Sequence, residues 1–318
     1  MHNTFKIKYK FCDWINIYRL HTHLLNYNPN GYLLNEIKPN WINWDILSFY
    51  ESAIPVLEQN IDKINWESLH HNKDAVPIFE LYPEKINWYM IATLPKAIHL
   101  IEQNLNKIGM YRLSLNPAAT HILSKNIKLI DWDYLSLNTG AIDLLNANQH
   151  KINWDMLSLN ENAIPILEKN INKINWKNLS CNPNAVHLFE HCKYPALLNW
   201  SSLCENINAL PYVTKYKNYI DWDTLNTNPS AMSFLLENKY YLRWDYLSEN
   251  SAAIDLLSKN INKISYSHLS YNPAIFDYDY LKMSKERTSI LEEELMKKSL
   301  HPSKIKYWLD NNMDIDDL

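Results

Sequence analysis

INWDMLSLNENAIPILEKN, residues 152–170, is followed almost at once by a second version of itself, INWKNLSCNPNAVHLFE, at residues 174–190. Working outward from this pair, Trp44, Trp66, Trp88, Trp132, Trp154 and Trp176 all stand on one 22-residue grid. After two inserted residues near Lys193–Pro195 the grid resumes at Trp200, Trp222 and Trp244. Met110 and Tyr266 fill two empty grid points and Thr22 marks a degenerate first copy, so the chain carries about twelve copies of one unit.

The other columns keep the same register. Three residues after the anchor stand Leu47, Leu69, Leu135, Leu157 and Leu179, with Ile91 in one copy. Nine after it stands Gly31 and then alanine from Ala53 through Ala163 to Ala253. A column that stays small beside the large apolar Ile164 and Leu167 predicts close helix–helix approach, which bulk would overpack.

Asparagines punctuate the unit. Asn28, Asn72, Asn116, Asn138, Asn160, Asn182, Asn206, Asn228, Asn250 and Asn272 stand where an N-cap is wanted, often followed by proline at the first helical position, as at Pro117 and Pro183. The helix this opens spans about nine residues and ends at a second asparagine column, Asn60, Asn104, Asn126, Asn148, Asn170, Asn238 and Asn260, read as left-handed C-terminal caps. A shorter helix begins at the anchor, capped by Asn43, Asn65, Asp131, Asn153, Asn175 or Asp221. Helices this short are marginal alone, so stacking must stabilise them. The expected fold is all-α: a solenoid at 20–275, an N-terminal cap at 1–19, and a helical cap with an acidic tail at 276–318. With packed helices about 8–10 Å apart, twelve copies would form a rod or superhelix on the order of 100 Å long.

Composition bounds the chemistry. Hydrophobic residues make up 47% of the 318, with 12 Trp and 21 Tyr, too apolar for disorder. No apolar run is long enough to cross a bilayer and no secretory signal opens the chain, so cytosolic synthesis is expected, with Cys12, Cys181, Cys192 and Cys204 as free thiols.

The unit I-N-W-x-x-L-S-x-N-P-x-A-I-x-L-L-E-x-N resembles the Asn/Ile-rich tandem-repeat proteins of amoeba-infecting giant DNA viruses of the mimivirus type, and the closing segment from His301 through Asp317 is similar to the terminus of that family. The resemblance covers roughly residues 12–318. It implies a repeat fold and a viral source, and it brings no active-site residues with it.

The columns that bear chemistry have simpler structural readings. A tryptophan ladder could stack bases, but it keeps phase with buried leucines and a net charge of −4 offers phosphates no basic track, so nucleic acid is not the expected partner. His99, His121 and His187 share one column, and His187, His191 and Cys192 have helical spacing, but neighbouring copies are too far apart to share an ion. Asp131/Asp133 and Asp221/Asp223 flank anchors and read as caps and first-turn acids rather than as acid–base pairs. No metal, cofactor or catalytic residue is expected.

Recognition belongs where copies differ. The two positions after the anchor vary most, which makes Glu67, Tyr89, Arg112, Tyr134, Met156, Lys177, Asn178 and Tyr246 the candidate partner surface, with the nine tryptophans as structural anchors. The expectation is a non-catalytic scaffold that binds a host or viral protein in the host-cell cytoplasm, away from membranes. The alternative is a virion-associated, self-assembling component, ahead of a nucleic-acid reader or a cryptic enzyme.

Overall fold

A computed structural model describes residues 7–299, 304 and 305. The part of the expected helical cap beyond residue 299, those two residues apart, and its acidic tail lie outside them.

Every copy follows the same short path, and residues 110–131 illustrate it. A one-turn first helix, Met110–Leu113, is followed by a 3-10 turn at Pro117–Ala119 that runs into the second helix, Thr120–Lys125. A further 3-10 turn, Ile127–Leu129, leads to the next anchor, Trp132. The expected nine-residue helix is thus composite. The first helices are capped as expected: the Asn153 Oδ1 accepts from the backbone N–H of Asp155 and Met156 at 3.1 and 3.2 Å.

The second asparagine column corrects the sequence reading. Asn60, Asn126 and Asn170 have φ of −138°, −128° and −135°, outside the left-handed region. Each instead turns its side-chain amide back to the carbonyl four residues earlier, as Asn170 Nδ2 does to Ile166 O at 2.9 Å. The amide thereby satisfies an orphan carbonyl of the last turn, which a left-handed cap would satisfy with backbone.

Packing follows the columns. Leu157, Ala163 and Leu167 and their equivalents are buried, whereas the tryptophans are half-buried, with one face on the core. Their other face carries a lid from the 3-10 turn that closes the same copy. Lys63 covers Trp44 at 4.9 Å, Lys107 covers Trp88 at 4.7 Å and Lys173 covers Trp154 at 4.4 Å, as cation–π contacts. Where the lid is Tyr241 it stacks on Trp222 with centroids 3.9 Å apart.

Two buried polar ladders join successive copies. The Ser158 Oγ donates to Trp154 O at 2.7 Å and accepts from the backbone N–H of Asn175, in the next copy, at 3.1 Å. Asn160 holds its own helix start through Oδ1 while its Nδ2 donates to Ser136 O and Asn138 O of the preceding copy, both at 3.0 Å. The N-cap asparagines are therefore also the inter-copy links.

These bonds are repeated between the last copy and the first. Asn28 Nδ2 donates to Ser270 O and Asn272 O, both at 2.9 Å. The backbone N–H of His21 donates to the Ser270 Oγ at 3.0 Å, and Arg19 lies 4.1 Å over the Tyr266 ring as its lid. Asn30 Nδ2 reaches Pro273 O at 2.9 Å, as Asn162 Nδ2 reaches Thr139 O at 3.0 Å within the array. Copy one thus sits on copy twelve as any copy sits on its predecessor, and the all-α solenoid closes into a ring. The flanking segments form a clasp over this junction: strand β1 (Tyr9–Phe11) pairs antiparallel with strand β2 (Phe276–Tyr278), Phe11 against Phe276. The helix Tyr280–Ser299 follows.

The rod expected from sequence is therefore corrected. Its length becomes a circumference on the order of 100 Å, which bends the first helices into a circle about 30 Å across. The end copies meet each other instead of being separately capped.

Candidate functional site

In a closed ring the layer with closer-packed elements must be the inner one. Successive first helices, such as Trp200–Glu205 and Trp222–Thr227, pack directly on each other, whereas successive second helices meet chiefly through their opening 3-10 turns, such as Pro229–Ala231 and Ser251–Ala253. The first helices line the inside. Their leucines and serines point back toward the second helices, which leaves the positions one, two and five after the anchor on the inner face.

All the candidate partner residues belong to this face. The structure brings Tyr89, Arg112 and Tyr134 into one cluster through Tyr111: ring centroids lie 6.0 Å apart for Tyr89–Tyr111 and 6.5 Å for Tyr111–Tyr134, and the Arg112 guanidinium lies 4.6 Å from the Tyr89 ring. Glu67 is exposed one copy before this cluster and Met156 is half-buried beyond it. Lys177 is exposed, while Asn178 is tied to its predecessor through Nδ2 to Asp155 O at 2.9 Å. Tyr246 stands apart on another arc, edge-on to His268 at 5.3 Å.

Sequence reasoning missed the position five after the anchor. It places Phe49 beside His71 at 5.8 Å, lines the cleft next to Arg112 with Thr93 and Leu115, and puts Glu249 half-buried on the inner face. Burial pushes the Glu249 carboxyl up from its ordinary value, Glu205 adds to the shift, and His268 opposes it. The signal was available as a column mixing Leu115, Leu137 and Leu159 with Glu205, Thr227 and Glu249.

The residues weighed for chemistry take structural places. His99, His121 and His187 each bond a glutamate of the preceding copy, at 2.7, 2.6 and 2.9 Å from Glu80, Glu102 and Glu168. They lie in the outer layer and do not converge. Among the described residues no group of three His, Cys, Asp or Glu side chains is placed to hold a metal ion. Asp131 accepts from the N–H groups of Asp133 and Tyr134 as a cap, and Asp221 accepts from the N–H of Thr224.

His70 stands in the buried serine column. Its Nδ1 lies 2.6 Å from Trp66 O, which can only accept, and its Nε2 accepts from the backbone N–H of Asn87 at 2.7 Å. The ring is thus neutral, with the proton on Nδ1, and desolvation lowers its pKa. Cys204 occupies the same column, and burial pushes its thiol up to about 11, away from nucleophilic use.

No helix among the described residues is long and apolar enough to cross a membrane. No family profile, curated protein or solved structure matches the chain.

Proposed function

We propose that the ring is a non-catalytic scaffold that binds another protein on its inner face. One observation carries the reading: the repeated columns are used up in copy-to-copy bonds, while the columns that differ most between copies line the concave side. Recognition on a repeat scaffold uses such a surface, because regular elements hold varied side chains in fixed relation. The buried His70 and Cys204 serve the interfaces and supply no reacting group. Assembly end to end is disfavoured, since both end faces of the solenoid are buried against each other. The resemblance of the repeat unit supports a host or viral partner met in the host-cell cytoplasm.

The test is affinity capture from infected and uninfected amoebal lysate, with light scattering to give the mass of the free chain. A monomer whose reproducible partner is lost on Tyr134→Glu with Met156→Glu, and kept on Lys125→Glu in the outer layer, is expected. Partner loss confined to the outer variant, or an oligomer that captures nothing, would overturn the reading.

A further inference from the structure

Building on the inner face as the recognition surface, we propose that a cleft across copies three to five binds an acidic peptide segment, its carboxylates held by Arg112 and Lys73 and its apolar side chains by Met90 and Leu115. The cleft has a volume of about 290 Å³ and also presents His71 and Thr93. Its lining includes no aspartate or glutamate.

Charge complementarity argues for the occupant. The position after the anchor is acidic in many copies, at Asp45, Glu67, Asp133, Asp155, Asp223 and Asp245, but is Tyr89 and Tyr111 beside the cleft. Arg112, two after its anchor, therefore meets a tyrosine and no acid from that column in its own copy or the one before, and no ion pair among the described residues includes it. Its Nε is buried without a hydrogen-bond partner while the guanidinium rests on Tyr89. The buried Nε is out of a ligand's reach, but the terminal nitrogens of this planar fork make no hydrogen bond among the described residues and fit a carboxylate in the cleft that Arg112 lines. Lys73, on the other side of the cleft, is held only by an exposed contact of 3.7 Å to Glu51, which a better-placed carboxylate can replace. The apolar part of the wall favours a peptide over a free inorganic anion, and three successive copies offer an extended chain a continuous track.

Fluorescence anisotropy of a fluorescein-labelled hexapeptide alternating leucine and glutamate tests this on the full chain. The peptide is expected to bind, more weakly as salt rises, and its serine–leucine counterpart to fail. Arg112→Gln should weaken binding about tenfold or more, and Lys73→Gln about threefold, while Lys125→Gln, which removes an exposed outer-layer cation away from the cleft, should leave it unchanged. Thermal melts identify an Arg112→Gln chain that fails to fold, in which case the exposed Lys73 carries the comparison. Equal binding of the two peptides, or equal loss in Lys73→Gln and Lys125→Gln, would overturn the site. Displacement of the peptide by inorganic phosphate at similar concentration would overturn the peptide as its ligand. A chain that captures partners through its inner face yet ignores the acidic peptide sinks this inference and leaves the scaffold reading standing.

Discussion

Asn28→Ala and Asn160→Ala remove the same side chain, with the same bonds, from two interfaces that the chain reaches differently. Asn160 links neighbours in sequence, whereas Asn28 links copy one to copy twelve. Each residue makes one cap bond and two bonds to carbonyls of the adjoining copy, with distances of 2.9 Å throughout for Asn28 and 3.0 Å throughout for Asn160. Losing a cap costs about 1 kcal/mol and leaving the buried serine carbonyl without a donor about 1 kcal/mol or more, while the asparagine carbonyl keeps its backbone donor and loses only its second one, so both variants should lose about 2 to 4 kcal/mol. In an open array Asn28 would keep only its cap, and its loss would stop at about 1 kcal/mol. Urea unfolding followed by tryptophan fluorescence reads the difference, since midpoints shift with stability while slopes report the surface exposed. Equal losses are expected. An Asn28→Ala midpoint well short of the Asn160→Ala shift would refute closure in solution.

Four further outcomes are expected. His70 has a depressed pKa in the folded chain, so its contribution is full above the ordinary histidine value and is lost as pH falls through the folded value; melts at descending pH should show this loss in the native chain and less of it in His70→Ser. Glu249 has a raised pKa, so its stabilising effect is present below the ordinary carboxylate value and lost as pH rises through the folded one; Glu249→Leu, matching Leu137 and Leu159, should gain in melting temperature over the native chain at pH 7 and lose that advantage at pH 4. Ala163→Leu fills a fully buried position and should cost about 1 to 3 kcal/mol in denaturant titration, against almost none for a change at exposed Lys125. Asn206 follows the two-residue insertion and its buried Nδ2 has no partner, so Asn206→Ser, which keeps a capping oxygen, should melt near the native temperature, whereas Asn182→Ser should melt several degrees lower.

The period, the anchor columns and the first-helix caps were legible because each is a local regularity repeated many times over. The double role of the asparagines was hidden, because Asn160 looks the same as a cap whether or not its amide reaches the preceding copy. Closure was hidden for a related reason: an interface between copies twelve and one uses the same residues as one between copies six and seven. Curvature depends on the difference in spacing between two packed layers, and no single column encodes that. A clue lay in the ends. Asn28 and Arg19 persist in a first copy that has lost its tryptophan, and Ser270 and Asn272 persist in the last, although in an open array these interface groups would face water. On the inner face, variability marked where to look, but the contact between Arg112 and Tyr89 joins two columns in different copies and needed coordinates.

Closure also gives the chain a fixed copy number. An open array can gain or lose a 22-residue unit by unequal recombination and merely change length. Here, removing residues 152–173 would leave eleven copies to complete the turn, each rotating about 3° further, with every asparagine link bent to match or the clasp torn open. Length variation, the ordinary freedom of tandem repeats, is thereby closed to this gene, while the cut in the circle is arbitrary. Joining Tyr9 to Tyr278 through a short linker and reopening the chain between any two copies should give a permuted protein with the same interior.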